Sequence, residues 1–155
     1  MFYLLGLGIF LFSVWASVFT LRGNILDIIN IPSMILIIFP LVAVLTATQN
    51  FKIFAAGFKA AVFPKSDISD DIRGKAASLF RFLSKTTIFI MLIAFLICFI
   101  LLLMGLDFDD PKAIGRIGYY VCAAIITPIY GLILIAAVFE PIVIILKKRG
   151  DKERK

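Results

Sequence analysis

The sequence has no histidine and only two cysteines among its 155 residues, which excludes several kinds of chemistry. A zinc site needs several Cys or His ligands at close spacing, whereas Cys98 and Cys122 lie singly within apolar runs. These thiols are interpreted as small apolar packing residues. No serine or cysteine has a neighbouring base suited to nucleophilic catalysis, and no glycine-rich phosphate loop is present. The sequence therefore predicts no metal centre, no cofactor and no enzyme activity.

Charged residues are also scarce, at 17% of the chain, while 62% of the residues are hydrophobic. A soluble domain is about half apolar, and a chain of this length buries only a modest share of its surface. Much of the apolar surface is therefore expected to face lipid. The net charge is +6, and its basic residues lie beside the apolar runs. This arrangement favours a membrane surface, and not a nucleic acid, as the partner.

Four apolar segments are long enough to cross the hydrocarbon core of a bilayer, which takes about 20 helical residues. They lie at about residues 2–21, 31–48, 86–106 and 117–146. The first lacks the basic start and short apolar core of a signal peptide, so it is interpreted as a retained span. The last is longer than a bilayer requires and is expected to tilt, kink or project. The sequence predicts an all-α protein with four transmembrane spans in one membrane domain, residues 1–155.

Prolines lie inside two of these predicted spans. Pro40 lies within the second, and Pro128 and Pro141 interrupt the fourth. Each removes a backbone donor, so each is expected to kink its helix. Asn30 is expected to cap the second span, with Pro32 in the first turn.

Basic residues are distributed unevenly among the segments between the spans. Residues 51–85 contain seven and the tail from 147 to 155 contains six, against three in the two remaining loops. Cytoplasmic loops of membrane proteins are enriched in Lys and Arg. The 51–85 loop, the tail and both termini are therefore predicted to be cytoplasmic.

The cytoplasmic loop is predicted to form two short helices. Between residues 51 and 62, apolar residues recur at three- and four-residue spacing with lysines among them. This is the pattern of an amphipathic helix at a membrane interface, and Pro64 is expected to end it. Ser66 or Asp67 is expected to cap the second helix, whose first turn contains acidic residues.

Three polar residues of the last predicted span are candidates for a functional role. Thr127 precedes Pro128, which cannot donate to the carbonyl of Ala124. A hydroxyl beside a free carbonyl is suited to an ion or a water, although a threonine bonded to its own helix is the alternative. Tyr130 offers a second hydroxyl nearby. Glu140, the only acidic residue inside an apolar run, is either a proton carrier or an interfacial residue.

Several segments together resemble MotA-type flagellar stator proteins of the MotA/TolQ/ExbB superfamily. Their order and spacing agree with that family along nearly the whole chain. The segments are Asn24–Ser33 with its Ile-Pro-Ser end, Phe63–Asp67, Asp109-Asp110-Pro111, Ala123–Gly131 and Phe139-Glu140-Pro141.

The resemblance implies partners and a mechanism. Family members form rings of five four-span subunits in the bacterial inner membrane, around two single-span partner helices of the MotB or ExbD type. The partner helix carries an acidic residue that binds a proton or a sodium ion, and ion flow drives movement. The resemblance also implies a pore-facing threonine at Thr127, and Tyr130 is predicted to lie on the same ion path.

Departures from the family pattern keep a second hypothesis open. Phe39-Pro40 stands in place of a glycine pair, the cytoplasmic loop is short, and Ile88–Leu106 contains neither hydroxyl nor proline. These features favour a non-conducting scaffold that uses the same ring to hold partner helices. A small drug/proton exporter is disfavoured, because it needs a carboxylate deep in the first span and Phe2–Leu21 has none.

Overall fold

Helices account for all the regular structure in a computed structural model that describes residues 2–20, 29–63, 68–104 and 113–153. The predicted all-α fold is confirmed for these residues. The elements are α1 (Phe2–Thr20), α2 (Ile31–Ala47), α3 (Phe51–Val62), α4 (Asp70–Met104), α5 (Ala113–Leu134), a π-helical segment (Ile135–Phe139) and α6 (Glu140–Glu153).

Two helical runs are long and apolar enough to cross a membrane. They are α4 and the run Ala124–Gly150, which passes through α5, the π segment and α6. Helices α2 and α3 meet at an angle of 116°, and they give a third candidate span only if the bent pair is counted as one span. In α1 the apolar run Tyr3–Ala16 is shorter. The described helices thus indicate a membrane protein with two or three candidate spans, against four in the sequence prediction.

The start of α2 agrees with the sequence prediction. The Asn30 side chain accepts a hydrogen bond from the Ser33 backbone N–H at 3.1 Å, and Pro32 lies in the first turn. Such a cap satisfies one of the donors that every helix start leaves unpaired. From there α2 continues through Pro40 to Ala47.

A tight turn at Gln49 separates α2 from α3. Gln49 has a φ of 54°, in the left-handed region that glycine usually occupies after a helix. Its N–H donates to the Thr46 carbonyl at 3.1 Å, and the Asn50 N–H donates to the Leu45 carbonyl at 3.2 Å. These two bonds form a Schellman motif. The chain then enters α3, whose bounds agree with the predicted amphipathic helix of the loop.

The second predicted loop helix and the third predicted span are one helix, α4, so their separation was wrong. No glycine or proline occurs from Lys75 to Met104, and nothing in the local sequence ends the helix. Its first turn contains Asp70 and Asp71, as predicted. Ser69 lies directly before it, and its hydroxyl accepts the Ile72 N–H at 3.5 Å. The predicted caps Ser66 and Asp67 lie outside the described residues.

The fourth predicted span, residues 117–146, lies within a longer helical run that extends from Ala113 to Glu153. Pro128 lies inside α5. Before Pro141 the helix takes the wider π form, and the Glu140 N–H donates to the Ile135 carbonyl five residues back. A π segment inserts one extra residue into a turn, and here it occurs directly before a residue that has no backbone donor.

The main core lies where the second half of α2, α3, the first half of α4 and α6 meet. Phe80 of α4 is fully buried at its centre, with ring centroids 5.1 Å from Phe54 and 6.0 Å from Phe139. The second half of α4 differs, because it exposes large apolar side chains from Phe89 to Met104. That half is suited to lipid or to other apolar helices.

Candidate functional site

A polar cluster lies between α2, α4 and α5, in surroundings that are otherwise apolar. Its centre is Thr127, which is 0% exposed and donates its hydroxyl proton to Ser33 Oγ at 2.8 Å. Ser33 is 1% exposed. The Cys98 Sγ atom of α4 lies 3.9 Å from Thr127 Oγ1. Buried hydroxyls are stable when they are hydrogen-bonded, and these bonds connect the three helices.

Tyr130 extends the cluster toward the start of α2. Its hydroxyl oxygen accepts a hydrogen bond from the Asn30 backbone N–H at 2.8 Å. Residues three apart share one face of a helix, so Thr127 and Tyr130 both contact α2 from the same side of α5. Asn30 also caps α2 by bonding the Ser33 N–H. The polar cluster, defined as Asn30, Ser33, Cys98, Thr127 and Tyr130, therefore connects the first turn of α2 to the middle of α5.

The structure brings together two of the predicted site residues, and Glu140 and Pro40 lie outside that cluster. Thr127 and Tyr130 both belong to the polar cluster. Glu140 lies exposed at the start of α6, beyond the π segment. Pro40 lies within α2, in the middle of that helix.

Sequence reasoning missed hydroxyls that α4 buries next to α5. Thr87 is 0% exposed, and its hydroxyl donates to the Leu83 carbonyl at 2.8 Å. Opposite it, a Cβ atom at Gly131 would lie only 2.9 Å from Met91 Sδ and 3.4 Å from Thr87 Cγ2. The two helices are therefore in close contact at Gly131. The signal that could have found them is the alternating three- and four-residue spacing of small or flexible residues at 84, 87, 91, 94 and 98.

Two backbone carbonyls that lack a donor within their own helix accept bonds from other helices. Ala137 lies four residues before Pro141, which has no N–H to donate, and the Tyr3 hydroxyl of α1 donates to its carbonyl at 3.3 Å. Ala60 is in the last turn of α3, where the carbonyls have no partner within the helix, and the Arg149 guanidinium of α6 donates to its carbonyl. These bonds connect α1 to the π segment and α3 to α6.

A buried arginine lies at the start of α4. Arg73 is 5% exposed and donates to Asp70 Oδ1 at 2.9 Å and to the Ile68 carbonyl at 3.2 Å. The carboxylate compensates the buried charge. The neighbouring Lys75–Asp71 pair, at 2.6 Å, is exposed and contributes little to stability.

Within the described ranges, no three Cys, Asp or Glu side chains group as metal ligands. Comparison with known proteins gives no family assignment: no protein-family model matches the chain, and no curated protein sequence matches it.

Proposed function

We propose that this protein is a MotA-like membrane subunit that couples proton or sodium flow to movement. In this proposal it forms a homo-oligomeric ring, a pentamer, around single-span partner helices of the MotB or ExbD type. The observation that supports the proposal is the polar cluster. It contains Thr127 and Tyr130, the two residues predicted to lie on the ion path, together with the hydroxyl of Ser33.

The proposed topology has four spans in a bacterial inner membrane, with both termini in the cytoplasm. The spans are α1, α2, the second half of α4, and α5 with the first part of α6. The 116° angle between α2 and α3 supports this topology, because an interfacial helix must turn away from the span that precedes it. Exposed apolar side chains along α1, such as Leu5 at 58% and Ile9 at 62%, support contact with lipid.

The proposed carboxylate of the ion path belongs to the partner helix. Within the proposed spans of this chain, Glu140 is the only acidic residue, and it is exposed at the start of α6. The exposed apolar half of α4, including Phe89 at 65% and Met104 at 79%, is a suitable surface for neighbouring subunits and partner helices. The proposal includes no cofactor and no enzyme activity.

One observation favours a second candidate, a non-conducting scaffold with the same assembly. The Thr127 hydroxyl is fully buried within one subunit and bonded to Ser33. Such a bond is sufficient to hold α5 against α2, and this role requires no ion. The two candidates differ in whether the polar cluster solvates an ion.

The deciding experiment measures ion flux in reconstituted vesicles that contain the ring and its partner. For a conducting ring, Thr127→Val should abolish or strongly reduce flux, because valine keeps the shape and removes the oxygen. Ser33→Ala, which removes the acceptor, should reduce flux in the same direction. Hydrogen bonds between membrane helices contribute only about 0.6 kcal/mol on average, so both variants should assemble.

Phe95→Leu serves as the control, because Phe95 stacks on Phe99 of the same helix with ring centroids 6.2 Å apart and contributes no oxygen. Its flux should equal that of the unmodified protein. Unchanged flux in the Thr127 variant would remove that residue from the ion path. Absence of flux in the intact, unmodified complex would favour the scaffold.

A further inference from the structure

A groove of about 500 Å³ lies between α1 on one side and the π segment together with α6 on the other. Residues from both sides line it, and the lining is largely apolar. The residues that define it are Tyr3, Gly6 and Phe10 on α1, and Pro141, Ile144 and Ile145 on α6.

The groove exists because α1 contacts the rest of the protein at few points. The Tyr3 hydroxyl is bonded to the Ala137 carbonyl, which holds one end of α1 against the π segment. One turn further along α1, Gly6 has open space around it, with no atom within 4 Å of a Cβ built at that position. The absent side chain of Gly6 therefore leaves the groove open.

A basic residue lies on the same face of α6 as the groove. Ile144 and Ile145 line the groove, and Lys148 follows them by four and three residues, one helical turn toward the C-terminus. Residues at this spacing share a helix face. Lys148 is exposed, whereas its neighbours Lys147 and Arg149 face α4 and α3. An apolar groove thus ends at one positively charged side chain.

We propose that this groove binds one acyl chain of an anionic phospholipid, whose phosphate is bound by Lys148. The size and charge of the groove support a lipid over a protein helix. A helix with its side chains is about 10–12 Å wide and rises 5.4 Å per turn, so a groove of about 500 Å³ holds about one turn. Lipid headgroups with a negative charge are also the ordinary partners of basic residues at a membrane surface.

Native mass spectrometry of the detergent-washed full-length protein tests this site. The probes are phosphatidylglycerol and phosphatidylcholine with identical acyl chains, added separately and counted as lipids retained per subunit. We expect preferential retention of phosphatidylglycerol. Gly6→Leu should fill the groove and lower the retention of both lipids several-fold. Its matched control is Gly8→Leu, because Gly8 also has open space around its Cβ position and does not line the groove.

A second pair of variants tests the headgroup contact. Lys148→Gln should remove the preference for phosphatidylglycerol, whereas Lys85→Gln, an equal loss of charge at an exposed site of α4, should retain it. Helical content measured by circular dichroism confirms that each variant folds. Equal lipid retention in the Gly6 and Gly8 variants would overturn the groove site, and an unchanged preference in the Lys148 variant would overturn the headgroup contact.

A change of oligomeric mass in the Gly6 variant, with lipid retention unchanged, would show that a protein segment occupies the groove and would also overturn the proposal. None of these measurements depends on ion flux. Failure of the lipid site is therefore distinguishable from failure of the proposed conduction.

Discussion

Gly57 lies where α3 contacts α4, and its surroundings leave no room for a methyl group. A Cβ atom at this position would lie 2.7 Å from the Ala76 Cβ and 2.9 Å from Cε2 of Phe80. The Ala76 Cβ is attached directly to the backbone of α4, and Phe80 is fully buried, so neither can give way cheaply. The close approach of these two helices depends on this glycine.

Gly57→Ala should therefore lower the free energy of unfolding by about 1–3 kcal/mol, as overpacking of a core does. Alanine is a better helix former than glycine, so helix propensity alone would stabilise the variant. A loss of stability would therefore report overpacking. Gly74→Ala is the control, because no atom lies within 4 Å of its Cβ position. Thermal unfolding in detergent should show a lower midpoint for the first variant and an equal or higher one for the second. A stabilised Gly57 variant would contradict the described contact between α3 and α4.

At the scale of elements, the bond between Arg149 and Ala60 connects α6 to the end of α3. It satisfies one of the last carbonyls of α3, which have no partner within the helix. The positive charge also lies near the C-terminus of a helix, where the helix dipole favours cations. One side chain thus provides both a donor and a compensating charge for α3.

Arg149→Ala should destabilise the protein by about 1–3 kcal/mol, because it leaves that carbonyl without its charged donor. The loss should be largest in α3, where hydrogen–deuterium exchange of the backbone amides should become faster. Lys147→Ala removes the same charge from an exposed neighbour and should change stability by less than about 0.5 kcal/mol. Identical exchange of α3 in both variants would show that the bond does not hold this helix.

Element ends were predictable from the sequence where they depend on nearby residues. The cap at Asn30 and the bounds of α3 follow from caps and breakers that act within a few positions. The continuity of α4 was not predictable in this way. The predicted boundary near Thr86 is a change in the polarity of the sequence, and such a change does not by itself end a helix. The π segment at Ile135–Phe139 was likewise not predictable, because no feature of its composition indicates it.

The candidate site was predictable only in part. Thr127 and Tyr130 are recognisable because hydroxyl groups are rare within apolar runs. Their partners Ser33 and Asn30 lie about a hundred residues earlier, with separations of 94 and 100 residues. The pairing is set by how α2 and α5 pack, which the local pattern of either helix does not contain. Thr87 was missed because it lies next to the predicted boundary near Thr86, which the continuous helix α4 does not have.

At the scale of the whole molecule, the proposed topology makes a direct prediction. Reporter fusions that are active only outside the cytoplasm should work after Asn24 and after Asp109, and should fail after Lys65 and after Lys155. The loop 51–85 and the tail contain thirteen basic residues, and the other two loops contain three. This excess favours retention of the loop 51–85 and the tail in the cytoplasm. The reverse pattern would exclude the topology and, with it, the MotA-like proposal.

The continuity of α4 has a mechanical consequence. Thirty-five residues in one unbroken helix form a rod about 52 Å long, at 1.5 Å per residue. In the proposed topology one end of the rod lies in lipid and the other in the cytoplasm, where it packs against α3 at Gly57. A tilt of about 5° about one end displaces the other by about 5 Å, by the same helical geometry. A small reorientation inside the bilayer would therefore reach the cytoplasmic surface as a movement about one side chain in size, with no joint along α4 to absorb it.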